Sequence, residues 1–234
     1  MSVKADGSIV TVADREIESA LRRRIGEVFP THAILGEEEG LEGDRGVPMW
    51  VLDPIDGTNN FAAGIGVFGT LIALRVNGRT EVAVAAAPAL GERYEAARGD
   101  GARMNGRPIS VSQVADLAEA TVCFGSYRRM LRHGYGDAIK EILRTCKRDR
   151  GFGDFWGHML VARGAVEAMA EPALSFWDVA PLEVIVEEAG GKMTTFAGNP
   201  YPESGEGDRS VISSNGLLHD ELASTLLSAK PATS

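Results

Sequence analysis

Leu52-Asp53-Pro54-Ile55-Asp56-Gly57-Thr58-Asn59-Asn60-Phe61 is the stretch on which the reading of this chain turns. Val47 to Leu52 reads as a short buried strand. Pro54 lacks the N–H that a sheet ladder needs and Gly57 favours a turn, so the strand is expected to stop where Asp53 and Asp56 emerge. Two carboxylates, a free backbone carbonyl and a hydroxyl then meet at a strand-to-helix corner. Hard oxygen ligands converging there suit Mg²⁺, which accepts carboxylates and carbonyls and keeps several waters.

On the N-terminal side, Ile17, Leu21, Ile25 and Val28 recur at helical spacing, which predicts an amphipathic helix over Thr11 to Phe29 with Arg22-Arg23-Arg24 largely on its wet face. Strand signals follow at His32 to Leu35, Met49 to Leu52 and Phe68 to Val76. Asn77-Gly78 makes a hairpin turn into Glu81 to Ala87. A strand over Tyr94 to Ala97 precedes a Gly-rich turn at Gly99 to Gly106. After Ile109 strands and helices alternate: strand Thr121 to Gly125, helices near Asp137 to Cys146, Phe155 to Met169 and Val179 to Glu188, strands near Lys192 to Phe196 and Ser210 to Ser213, and a last helix from Leu217 to Leu227. Helix layers on sheet layers are the expected architecture, an α+β fold. With no internal repeat or long linker, residues 1–234 read as one unit with approximate halves 1–110 and 111–234.

The 234 residues, 44% of them hydrophobic, are enough for a sizeable core. A formal charge of −9 counts against nucleic acid as a partner. A small anionic substrate stays open, because bound metal can reverse the local field. Cys123 and Cys146 lack metal-ligand spacing and read as idle thiols. No apolar run is long enough for a signal core or a membrane span, so the expectation is a cytoplasmic protein with no membrane partner.

Gly36-Glu37-Glu38-Glu39, the Asp53 to Thr58 stretch, and Trp177-Asp178 followed by Ala189-Gly190-Gly191 occur in an order and separation that resemble the inositol monophosphatase family of Mg²⁺-dependent phosphomonoesterases. The resemblance runs from about Lys4 to Leu227. It implies an α-β-α-β-α sandwich, a homodimer and a small phosphorylated metabolite as substrate. Family members usually begin with a long helix ahead of the motif at Thr11 to Asp14. Only Met1 to Val10 precede Thr11 here, so either the start is truncated or that helix is dispensable in this branch, and the apolar groove it covers is expected to be exposed.

Singly, each acid has an ordinary explanation. Asp14 could complete a capping box with Thr11, Glu37 to Glu39 a solvated turn, Asp53 and Asp56 turn formers, and Asp178 a helix N-terminal residue. The resemblance assigns them jointly. Glu37, Asp53 and the Ile55 carbonyl would hold one Mg²⁺; Asp53, Asp56 and Asp178 would hold a second; a third ion near Glu37 would help position water, and Mn²⁺ could substitute. Two ions balance the four carboxylates and three outweigh them, so a phosphate dianion can be accepted. Thr58, oriented by Asp14, would hydrogen-bond the attacking water, whose pKa the metal lowers. The N–H groups of Gly57 and Thr58 can receive phosphate oxygens. A haloacid-dehalogenase-type site needs D-x-D-G-T, with both carboxylates on one strand face. The D-x-x-D-G-T here does not supply that, so direct attack by water without a phospho-aspartate is expected.

Within the family, Glu171 matches a substrate-binding glutamate seven residues before Asp178. Asp154, in Gly153-Asp154-Phe155-Trp156, departs from the small neutral pattern of inositol monophosphatases. The run Gly151 to Pro172, with Ser214 to Glu221, is similar to the histidinol-phosphate phosphatase branch. Asp154 and Glu171 could pair with an ammonium and an imidazole beside the phosphate, and Phe155 and Trp156 could stack on a ring. Inositol 1-phosphate and fructose 1,6-bisphosphate are the alternative substrates, and a metal- or phosphate-dependent regulator without turnover is the alternative class. His158 could line the pocket and Arg150 could reach substrate; Arg128, Arg129 and Arg132 read as a mostly solvated face.

Overall fold

A computed structural model describes residues 2–3 and 9–228. Short strands β1 (Ser2–Val3) and β2 (Ile9–Val10) pair ahead of helix α1 (Val12–Val28). There follow β3 (Ala33–Gly36), β4 (Gly40–Glu42), β5 (Met49–Asp56), α2 (Thr58–Ala62), β6 (Gly69–Val76), β7 (Arg79–Ala87), β8 (Glu92–Ala97), β9 (Gly101–Met104) and β10 (Arg107–Pro108). Strands β3 to β10 form an eight-stranded sheet in the order β10-β9-β8-β7-β6-β5-β3-β4, antiparallel except where β3 lies parallel to β5. The second half contributes β11 (Thr121–Phe124), α3 (Tyr127–Arg132), α4 (Gly136–Thr145), β12 (Arg148–Arg150), α5 (Asp154–Ala162), β13 (Ala168–Glu171), α6 (Phe176–Glu188), β14 (Lys192–Thr194), β15 (Val211–Ser214) and α7 (His219–Ser228). Its five strands run β12-β11-β13-β15-β14.

The layers are α1, the large sheet, α5 with α6, the small sheet, and α4 with α7, which is the expected five-layer sandwich. Helices α5 and α6 carry buried residues nearly all round, as elements between two sheets must. One core cluster runs from Ala33 on the large sheet to Val211 on the small one, through Phe155, Leu182 and Ile185 of the central helices. On the outer face of the large sheet only a small cluster, Ile25, Ile34 and Leu52, is fully buried under α1. Ile72 and Leu74 stay half-buried there and Val82 is exposed.

Several boundaries differ from the sequence reading, each for a local reason. The Gly-rich turn at Gly99 to Gly106 contains β9, because Asn105 and Gly106 adopt positive φ and fold the chain into a further hairpin with β10. The helix expected over Phe155 to Met169 ends at Ala162. Gly164, at φ +71, turns the chain, and Ala168 to Glu171 joins the small sheet between β11 and β15. Apolar residues buried on every side hide the change of period there. Strands β4 and β12 and helix α3 were not foreseen, being short and polar. Arg22 does not lie on the wet face: it is buried and bonds Glu18 at 2.8 Å.

Candidate functional site

Strand β5 does not stop at Leu52. It continues to Asp56 because its pairing with β6 shifts by one residue: Asp53 opposes Leu71, whereas Asp56 opposes Gly69. Pro54 falls within this bulge, where no ladder N–H is required, and its carbonyl accepts the Thr70 hydroxyl at 2.8 Å. In a regular strand residues three apart point to opposite faces; the extra residue lets the Asp53 and Asp56 carboxylates converge. At the corner Gly57 adopts φ +79, and a Cβ there would lie 3.0 Å from the Val67 carbonyl oxygen, so glycine is required.

Asp178 arrives from the other half as the third residue of α6. Its Oδ2 accepts the Ser175 N–H at 2.8 Å in a capping box, the ordinary explanation weighed from sequence, and the same carboxylate also joins the site. Oxygens of Asp53, Asp56 and Asp178 lie within 4.8 Å of one another. Glu37 adjoins Asp53 because β3 runs parallel to β5 and the Glu37 N–H donates to the Leu52 carbonyl at 3.1 Å. Buried Glu18 braces this turn by accepting the N–H groups of Glu38 and Glu39 at 2.8 and 3.0 Å. A Cβ at Gly36 would lie 2.0 Å from that Glu18 carboxylate, so the glycine of the motif makes room for the brace.

The electrostatics of this cluster call for cations. Burial, then the charges of Asp56, Glu37 and Asp178, push the Asp53 carboxyl well above the usual range. Burial and the charge of Asp154 do the same to Asp56, and burial lifts Asp178 to about 7. Asp53 Oδ1 is buried without a hydrogen-bond partner. An all-oxygen donor set with an orphaned buried carboxylate oxygen fits a hard divalent cation.

Asp14 accepts the Thr11 N–H at 2.8 Å and the Thr11 hydroxyl at 2.5 Å on Oδ2, which is the capping box. Its Oδ1 lies 3.3 Å from the Thr58 hydroxyl, which also reaches the Ile55 carbonyl at 2.9 Å. Asp14 therefore completes the capping box and lies within reach of the Thr58 hydroxyl.

Glu37, Asp53, Asp56, Thr58 and Asp178 line an open cavity of about 580 Å³ between the halves, together with Asp154, His158, Glu171 and Trp177. Asp154 opens α5 at φ +56, a conformation in which Asp is tolerated, and its Oδ2 accepts the Asn60 side-chain N–H at 2.9 Å. The Phe155 N–H donates to Asp56 Oδ2 at 2.6 Å, so a carboxylate of the first half caps a helix of the second. Glu171 is buried at the end of β13. Its Oε1 accepts from Arg129 at 3.0 Å, its Oε2 has no partner, and burial followed by the charge of Asp154 lifts it to about 7.

Arg129 is exposed, as expected of that face, but it also lines the cavity, and its charge acts on Asp154, Glu171 and Asp178. The expected aromatic pair is divided. Phe155 lines the cavity while packing against Gly69, whereas Trp156 turns away, donating its indole N–H to Glu92 at 3.0 Å; Trp177 also lines the cavity. Arg150 sits on the exposed edge strand β12 and bonds the Asp149 carbonyl rather than the cavity. Buried His158 shares a 2.7 Å hydrogen bond with Ser213 through Nδ1 and leaves Nε2 unpartnered in the cavity wall. Burial pushes the Cys123 thiol up to about 12, in keeping with an idle residue. No helix among the described residues is long and apolar enough to cross a membrane.

Residues 2–230 match the family model described as the inositol monophosphatase family. The chain is 42% identical over 231 residues to a histidinol-phosphatase of Mycobacterium tuberculosis, covering 97% of this chain and 87% of the relative. It is 40% identical to a histidinol-phosphatase of Streptomyces coelicolor, covering 95% and 85%. Among solved structures it is similar to an inositol monophosphatase from Anabaena, with a TM-score of 0.86, 32% identity, and 97% and 90% of the two chains covered.

Proposed function

This chain belongs to the inositol monophosphatase family and is a phosphoric monoester hydrolase, and we propose that it hydrolyses histidinol phosphate to histidinol and phosphate with Mg²⁺. The observation that carries the reading is the convergence of Asp53, Asp56 and Asp178 in one cavity whose wall also holds Asp154 and Glu171. Relatives named histidinol-phosphatase support the substrate.

Glu37, Asp53 and the Ile55 carbonyl would hold one ion, and Asp53, Asp56 and Asp178 a second. When bound, such ions neutralise phosphate charge and acidify a water molecule. The chain's own groups then set direction. With its hydrogen turned to Asp14 Oδ1, the Thr58 hydroxyl keeps its lone pairs free to accept a hydrogen of the attacking water, fixing that water's orientation. Because Asp14 Oδ2 is engaged by Thr11, Oδ1 is the Asp14 oxygen left to take the Thr58 hydrogen, in competition with the Ile55 carbonyl at 2.9 Å. The Gly57 and Thr58 N–H groups, at the start of α2, can receive phosphate oxygens. At the alcohol end, the unpartnered Oε2 of Glu171 accepts from the ammonium of the substrate, with Asp154 adding negative charge beside it. Asn60 and the N–H of Phe155 hold Asp154 and Asp56 in place for these tasks.

The test is phosphate release from histidinol phosphate, inositol 1-phosphate and fructose 1,6-bisphosphate, with and without Mg²⁺. Metal-dependent turnover with the highest kcat/KM for histidinol phosphate is expected. Equal or better hydrolysis of inositol 1-phosphate would overturn the substrate and leave the phosphatase.

A further inference from the structure

A second cavity, of about 280 Å³, lies on the other side of α6, between that helix, the turn joining β6 to β7, and the segment at Pro200 and Tyr201. Its charged walls are only partly engaged. Arg75 stacks over the Phe176 ring at 4.8 Å and pairs with Glu203 at 2.9 Å; Arg98 pairs with Glu187. Exposed Arg79 and half-buried Glu183 line the same space, and neither side chain has a hydrogen bond or ion pair among the described residues. Thr80, 1% exposed and paired in register with Arg75, turns a hydroxyl into this layer that no protein group satisfies. A buried hydroxyl without a partner is costly, so its presence beside a cavity points to a ligand atom that completes it.

We propose that this pocket binds a small zwitterion of the α-amino acid class. With Arg75 and Arg98 already neutralised by glutamates, one cation and one carboxylate are left to face the cavity. A simple anion would meet Glu183, whose charge Arg98, Arg75 and Arg79 only partly offset, and a simple cation would meet Arg79. A ligand carrying both charges satisfies both: its carboxylate takes Arg79 and the Thr80 hydroxyl, and its ammonium takes Glu183. Burial, and then the charge of Glu187, hold the Glu183 carboxyl above its usual range against the opposing charges of Arg98, Arg75 and Arg79, a penalty that an adjacent ammonium reduces further. The stacked rings of Phe176 and Tyr201, 6.5 Å apart, give an apolar wall for a side chain. Asp178 and Glu183 stand five positions apart on α6, roughly 140° round the helix, so one helix presents an acid to each cavity.

Calorimetric titration of the full chain with L-phenylalanine, L-leucine and glycine, against 3-phenylpropionate, phenethylamine and inorganic phosphate, tests this. Saturable one-to-one binding of an amino acid at millimolar concentration or below is expected, with the singly charged analogues weaker. Glu183→Gln and Thr80→Val should each weaken it roughly tenfold or more, while Glu171→Gln in the first cavity leaves it unchanged. Absence of binding by every amino acid, equal binding of 3-phenylpropionate or phosphate, or indifference to Glu183→Gln would each overturn the proposal. Because Glu183 and Thr80 take no part in the phosphatase site, failure here leaves histidinol phosphate turnover untouched.

Discussion

Asp14 Oδ1 lies 3.3 Å from the hydroxyl of Thr58, 44 positions further along the chain, while Asp14 Oδ2 is spent on Thr11. One carboxylate thus caps the start of a helix with one oxygen and lies within reach of a hydroxyl with the other. Thr11→Ala should cost about 1 kcal/mol of stability as a lost helix cap and leave kcat nearly unchanged. Thr58→Ala should leave metal affinity nearly intact and lower kcat by about a hundredfold or more, with Thr58→Ser restoring most of it. Steady-state kinetics beside a metal titration check this; equal loss of metal affinity and rate in Thr58→Ala would assign the hydroxyl another role.

Asp53→Asn and Asp178→Asn should abolish metal-dependent turnover without unfolding the chain, since each removes a charge from a cluster whose members repel one another. The sign for the metal-free protein follows from Asp178. Its folded pKa of about 7 exceeds the ordinary 3.8, so the folded state binds more protons in that window and stability falls as pH rises through it. Mg²⁺ should therefore raise the melting temperature more at the alkaline end of the window than at the acid end. A pH-independent Mg²⁺ shift in differential scanning calorimetry would contradict the cluster as the binding site.

Glu171→Gln should lower kcat/KM for histidinol phosphate by about ten- to a hundredfold, the loss of one charge-assisted contact, and change inositol 1-phosphate hydrolysis far less. Asp154→Asn is the matching change at the second acid, because Asn tolerates the left-handed backbone at φ +56 whereas most residues would add strain. It should narrow the preference in the same direction. Parallel losses on both esters would place these acids outside substrate discrimination.

His219 is buried between the Thr194 and Ser214 hydroxyls, and burial lowers its pKa from 6.5 to about 4. The unfolded chain binds a proton that the folded one refuses in this interval, so the stability it confers is complete above pH 6.5 and is lost as pH falls toward 4. Wild type should lose up to about 1.4 kcal/mol per pH unit from this group, a slope missing from His219→Gln. Urea unfolding of both proteins across the interval measures the difference.

The Asp53 to Thr58 stretch announced its chemistry because a carboxylate, a carbonyl and a hydroxyl at a corner are local facts. What it could not announce was the bulge that brings Asp56 beside Asp53, since a shift of register depends on β6. Asn60 and Arg129 escaped for the same reason. Their partners Asp154 and Glu171 lie 94 and 42 residues away, and nothing in an Asn or an Arg alone foretells a pairing at that distance. Trp156 was assigned to the cavity from its neighbours in sequence, but which side of α5 faces the site is decided by the two sheets that enclose that helix.

The bond from the Phe155 N–H to Asp56 Oδ2 also governs the order of events in biosynthesis. A ribosome delivers Glu37, Asp53 and Asp56 long before α5 and Asp178 exist. Until α5 docks, Asp56 lacks the donor that fixes it and the cluster lacks its third wall. A half-made chain therefore holds the acids of a hydrolase without the hydrolase, until α5 brings the Phe155 N–H to Asp56 and α6 brings Asp178 to the cluster.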